Sequence, residues 1–203
     1  MKKIARGAIK VSVGTIISRL LGYARDMLVA RYFGAGIFAD AFYAAYRIPN
    51  LFRRLLGEGS VSAAVIPVLS ETKVKDGDTA AGELVSASLT FLILALSAIT
   101  IAGIVWSREI VSVIAYGFSD EPAKLSLTIS LTRLMFPFMF FVSLAAFAGG
   151  VLNTYGIFFI PSVAPGALSV SEISFMLAVA PLLSVGNSQV NGLAVSVIVG
   201  GAL

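Results

Sequence analysis

The sequence has no cysteine and no histidine. The first absence excludes disulfides and thiolate metal sites. The second removes the commonest general base and the commonest metal ligand. Charge is scarce as well: 13% of the 203 residues are charged, about half of the roughly 25% found in soluble domains. Apolar residues take that place, at 58% of the chain with a mean hydropathy of +0.93. With its long uncharged runs, the chain reads as an all-α integral membrane protein, a polytopic helical bundle whose apolar contacts come largely from lipid.

Six apolar segments follow one another, at about 11–33, 40–69, 84–106, 125–152, 157–185 and 190–203. About 20 residues are needed to cross the hydrocarbon, so each of the first five can span. The second is too long for an upright span and is punctuated by Pro49, Gly57 and Gly59, so a bend or an overshoot is expected. Lys2, Lys3, Arg6 and Lys10 precede the first segment, and Lys73 and Lys75 lie in the link before the third. That excess predicts a cytoplasmic N-terminus and a cytoplasmic second link. Arg19 interrupts the first apolar run and no small-residue cleavage site follows, which argues against a signal peptide. The chain stops at "VIVGGAL" without a polar flank, and is read as the N-terminal part of a longer protein.

The charges are sorted by type. Residues 11–70 hold no lysine but six arginines: Arg19, Arg25, Arg31, Arg47, Arg53 and Arg54. Against them stand three acids, Asp26, Asp40 and Glu58, a surplus of three positive charges. A charge at the bilayer centre costs about 2.5–3.5 kcal/mol on insertion scales. These side chains are therefore expected to face a protein interior or a watery cavity. Arginine presents a planar fork matched to phosphate and carboxylate and keeps its proton, so such a cavity suits a phosphate-bearing anion. Spacing groups some of them. Arg19 and Asp26 are seven apart on one helix face, as are Asp40, Arg47 and Arg54, and Arg54 and Glu58 are four apart. Structural pairing or snorkelling is the competing explanation for each arginine, and it is preferred for Arg31 and Arg47 near predicted helix ends. Arg19, Arg25 and Arg53 are left without enough acids to neutralise them.

The stretch "SRLLGYARDMLVARYFGAGIFADAFYAAYRIPNLFRRLLGEGSVSAAVIPVLSE", Ser18 to Glu71, resembles the N-terminal signature of the MurJ/MviN family. The stretch "FPFMFFVSLAAFAGGVLNTYGIFFIPSVAP", Phe136 to Pro165, resembles the same family further along. The resemblance implies a bacterial lipid II flippase of the MOP exporter superfamily in the cytoplasmic (inner) membrane, a transporter and not an enzyme. This chain would be the N-terminal lobe of a two-lobe, V-shaped transporter with a cationic central cavity. The implied partners are lipid II, membrane lipids and the C-terminal lobe of the same protein, and no nucleic acid. No cofactor is implied in this chain, and the family's sodium site falls in the C-terminal lobe. Carried over by motif, the substrate-binding residues are Ser18, Arg19, Arg25 of "ARD", Asp40 of "FADAF", Arg53 and Arg54 of "PNLFRR", and Glu58 of "GEG". One departure is Glu172, where the family usually has an apolar residue; Ser169 stands where an asparagine is common nearby.

Other functions were weighed on the same residues. A relative could export another polyprenyl-linked saccharide. Export of a drug cation conflicts with a net-positive interior. An intramembrane aspartyl protease would need Asp26 and Asp40 together, but they flank a short link without protease motifs. A non-transporting scaffold would use the arginines only to pair with partner helices.

Overall fold

The computed structural model describes residues 2–54, 62–184 and 186–203, with only the helical backbone for 2–10, 62 and 63. Gly57, Glu58 and Gly59 lie outside the described residues. Without water to satisfy backbone groups, a membrane chain must close its own hydrogen bonds, and helices do so within each segment. The described residues follow that rule. They form α1 (Lys2–Phe33), α2 (Ile37–Arg53), α3 (Ser62–Lys75), α4 (Gly77–Val105), α5 (Ser107–Ile114), α6 (Pro122–Thr154), α7 (Phe159–Val163), α8 (Pro165–Ser174) and α9 (Asn187–Ala202). Three stretches are long and apolar enough to cross a membrane: Gly77–Val105, Pro122–Thr154 and Pro165–Leu182. The protein is an all-α polytopic membrane bundle. The long helix α1 misses that criterion because Arg19, Arg25, Asp26 and Arg31 divide its apolar run.

Gly34 stops α1. It adopts the left-handed conformation (φ 58°) and its N–H donates to the Ala30 carbonyl at 2.9 Å, so α2 turns back within three residues. Pro49 and Pro137 do not end their helices: α2 and α6 continue through them, as membrane helices tolerate. The fifth apolar run is more broken than its composition predicts. After α7 and α8 it loosens into a π segment (Phe175–Val179) and a 3₁₀ turn (Ala180–Leu182). Pro181 supplies no N–H to the ladder there, and the Gln189 side chain donates to the Ala180 carbonyl at 2.9 Å.

Contacts set the direction of each helix. Along α1 and α7–α8, Gly14 meets Ser162, Ser18 meets Gly166, Gly22 meets Ser169 and Arg25 meets Glu172. The two chains advance together, so they run parallel. By contrast α4 runs antiparallel to α6, with Gly103 on Phe136 and Leu92 and Leu96 clustered with Met139 and Phe147. The helix α3 runs with α6, as Ile66 packs at Gly150 and Lys73 at Tyr155. At the start of α6, Lys124 meets Asp40 at the start of α2, and Gly186 before α9 meets Phe38 of the same α2 turn. Thus α1, α4 and α8 point one way, and α2, α3, α6 and α9 the other.

Small residues make the close approaches. A Cβ on Gly200 would lie 2.7 Å from the Leu168 Cα and 2.9 Å from the Ser171 Cβ, which fixes α9 on α8. The main core joins α1, α2, α6, the π segment and α9 through Val29, Phe42, Ala45, Leu131, Met135, Met176 and Leu193. Phe91, Leu94 and Ile101 remain exposed, as apolar side chains in contact with lipid would be.

Candidate functional site

The face that α8 turns inward is Gly166, Ser169, Glu172 and, just beyond it, Met176, all buried. Glycine and serine let α1 approach: a Cβ on Gly166 would touch Leu21 and Ser18, and one on Gly22 would be 3.9 Å from the Ser169 Oγ. The parallel register then brings Glu172 level with Arg25. Glu172 is 2% exposed, and its Oε1 lies 3.5 Å from Arg25 Nη1. No hydrogen bond closes that pair, and Oε1 has no hydrogen-bond partner. The rest of the Arg25 fork is occupied: Nε and Nη2 donate to Asp26 Oδ1 at 3.0 and 2.8 Å. A small pocket opens here, walled by Arg25, Asp26, Val29, Phe42, Tyr43, Tyr46 and Glu172.

Tyr46 links this pocket to a second arginine. It lies within electrostatic range of Arg25, Glu172 and Arg53. It also stacks on Phe42, with centroids 6.2 Å apart, and packs against Phe138. At the end of α2, Arg53 is half-buried and its Nε donates to Asn50 Oδ1 at 2.8 Å. Arg25 lines the pocket from α1 and Tyr43 and Tyr46 from α2, and Arg53 lies two turns beyond Tyr46 on α2.

The other sequence-designated residues are spread out. Arg19 is exposed and makes no ion pair among the described residues. Ser18 Oγ donates to the Ser162 carbonyl at 3.1 Å, with Val163 at 3.4 Å, and holds α1 on α7. Asp40 is at the far end of α2, where its Oδ2 meets Lys124 Nζ at 2.8 Å. Arg54 is exposed, as are Arg31 and Arg47. Glu58 is outside the described residues.

Four further side chains make contacts that no local pattern in the sequence shows. Lys124, 9% exposed, binds Asp40 and Glu121 and lies over the Phe118 ring; in the sequence it reads as a flanking charge. Arg133 Nε donates to Ser107 Oγ at 2.7 Å and ties α6 to α5. Tyr43 and Tyr46, at i and i+3 on α2, line the pocket, and aromatics at that spacing carry no signal in the sequence beyond packing. Among the described residues no cluster of acids could hold a metal ion.

The arrangement can bind and orient an anion. The arginines keep their protons, and the carboxylates beside them hold charge opposite them.

The sequence profile described as lipid II flippase MurJ matches residues 29–203. The lipid II flippase MurJ of Burkholderia cenocepacia is 44% identical over 198 residues, 98% of this chain and 38% of that protein. The probable lipid II flippase MurJ of Aquifex aeolicus is 32% identical over 99% of this chain and 38% of its own length. A solved structure of lipid II flippase MurJ in an inward closed conformation superposes with a TM-score of 0.73 at 26% identity, covering 95% of this chain and 40% of that one. The chain thus spans under half the length of the relatives it matches. By profile, identity and fold, the chain belongs to the MurJ family.

Proposed function

We propose that this chain is the N-terminal lobe of a two-lobe flippase that moves lipid II from the inner to the outer leaflet by alternating access. The observation that carries the reading is the half-buried Arg25, held open to a pocket between α1, α2 and α8, with Arg53 further along α2. Two planar forks suit the two phosphates of a polyprenyl pyrophosphate. The alternation of helix direction supports six passes: α1, α2–α3, α4, α6, α7–α8 and α9. The basic N-terminal flank puts the first of them with its start in the cytoplasm.

In this mechanism no covalent bond changes. The arginines bind the head group while the polyprenyl tail stays in lipid, and the two lobes rock about the site. A potential negative inside favours outward movement of an anion, by about 2.3 kcal/mol per charge per 100 mV.

The test is leaflet accessibility of labelled lipid II in proteoliposomes carrying the full-length protein, with its affinity measured in parallel. Arg25→Ala and Arg53→Ala are expected to lose both binding and flipping. Undiminished flipping by both variants overturns the site. Lipid II binding absent from the unaltered protein favours a scaffold.

A further inference from the structure

We infer that Glu172 is the resting counter-anion of Arg25, that an anionic ligand must displace it, and that a proton takes the place of the arginine on the freed carboxylate. The inference rests on the proposed role of Arg25 as an anion-binding group. It makes Glu172 a proton-binding site coupled to ligand binding.

The geometry supports each step. Glu172 is 2% exposed, and the one cation paired with it among the described residues is Arg25, at 3.5 Å. That contact is an ion pair without a hydrogen bond, and Oε1 is left unpartnered. A pair made this way is loose enough to exchange. Arg25 Nε and Nη2 are on Asp26, which is 55% exposed, so water can take over that carboxylate when a ligand arrives. Water cannot do the same for Glu172.

Among the described residues no other cation can replace Arg25. From α1, Arg25 and Asp26 face Glu172, and Asp26 is itself an anion. From α2, Tyr43 and Tyr46 line the pocket. The helix α9 (NSQVNGLAVSVIVGGA), α7 (FIPSV) and the π segment (FMLAV) contain no titratable side chain. A buried carboxylate stripped of its cation is strongly unfavourable, so ligand binding to Arg25 leaves two outcomes: Glu172 holds on and competes, or it is neutralised. The balance is simple. Arg25 exchanges one carboxylate for one ligand anion, and the carboxylate oxygen of Glu172 forms an O–H bond with one proton from solvent.

The experiment is isothermal calorimetry of the full-length protein in detergent with farnesyl pyrophosphate as the probe. Titrations at one pH in two buffers of different ionisation enthalpy give the protons taken up per ligand bound. The unaltered protein is expected to take up close to one proton more than the probe's own titration supplies, a readout that needs no variant. Glu172→Gln is expected to lose that extra proton and to bind the probe tighter, by about fivefold or more. A gain in affinity cannot come from a damaged fold. Equal proton counts and equal affinities in the two proteins overturn the inference and leave the anion site standing. Binding unaffected by Arg25→Ala overturns the anion site itself.

Discussion

Arg25→Ala in the ligand-free protein isolates the worth of the buried pair. Two carboxylates lose their cation, and they differ in burial. Asp26 is 55% exposed, so water replaces the two hydrogen bonds and the cost there is about 0–1 kcal/mol, as for surface pairs. Glu172 is 2% exposed and has no other cation among the described residues, so its isolation costs about 3–5 kcal/mol. Glu172→Gln alone leaves Arg25, 21% exposed, with Asp26, and costs about 1 kcal/mol. In the double variant no isolated buried charge remains. It is expected to be more stable than Arg25→Ala, with a coupling energy of about 2–3 kcal/mol. Unfolding of the purified full-length protein in mixed micelles, followed across a denaturing-detergent titration, measures all four corners of the cycle. A coupling below about 0.5 kcal/mol refutes the reasoning, because Glu172 would then not depend on Arg25.

Three further outcomes follow from other parts of the molecule. Arg19→Lys, Arg25→Lys and Arg53→Lys keep the charge but lose the fork, and each is expected to lose much of its transport while still inserting; Arg31→Lys, exposed in the last turn of α1, is expected to be tolerated. Wild-type transport by all three lysine variants would show that only a positive field is needed. Single cysteines at Lys75 and Ser119, in a chain with none of its own, are expected to be respectively protected from and labelled by an impermeant thiol reagent in intact cells; the reverse pattern inverts the topology. Gly200→Ala forces a Cβ to within 2.7 Å of the Leu168 backbone and is expected to cost about 1–3 kcal/mol, whereas Gly82→Ala, with nothing within 4 Å, is expected to be neutral or slightly stabilising in the same unfolding assay.

The helical class and most of the bundle were legible because apolar runs are long and membrane backbones have one local solution. Legibility failed where tertiary contacts decide. The apolar run 157–185 gave no sign that Pro165 and Pro181 divide it into α7, α8, a π segment and a 3₁₀ turn. Asp40 was grouped with Arg47 and Arg54 by its spacing of seven, but it meets Lys124 from α6, a partner more than eighty residues away that no local period can show. Arg25 and Arg53 stood out as arginines in apolar segments, but the carboxylates around Arg25 and the aromatic side chain of Tyr46 in its pocket had no distinguishing signal. Glu172 could be noticed as an acid in an otherwise uncharged segment, and its partner could not be named without the register of α8 on α1.

That register also explains how a helix with so many arginines can lie in a membrane bundle. The three arginines of α1 beyond residue 10 meet different environments. Arg31 is in the last turn, where its long side chain can leave the hydrocarbon. Arg25 is neutralised from its own helix by Asp26 and across the interface by Glu172. Arg19, two turns earlier and exposed, has no such acid among the described residues, and an isolated charge facing lipid costs about 2.5–3.5 kcal/mol. Its surroundings in the membrane must therefore be polar, which places the Arg19 face of α1 toward water or a further protein surface and not toward acyl chains. The same face continues to Asp26, seven residues on, and Asp26 is the exposed partner of Arg25. The charged positions of α1 thus lie on a face that ends at the pocket wall, where Asp26 meets Arg25.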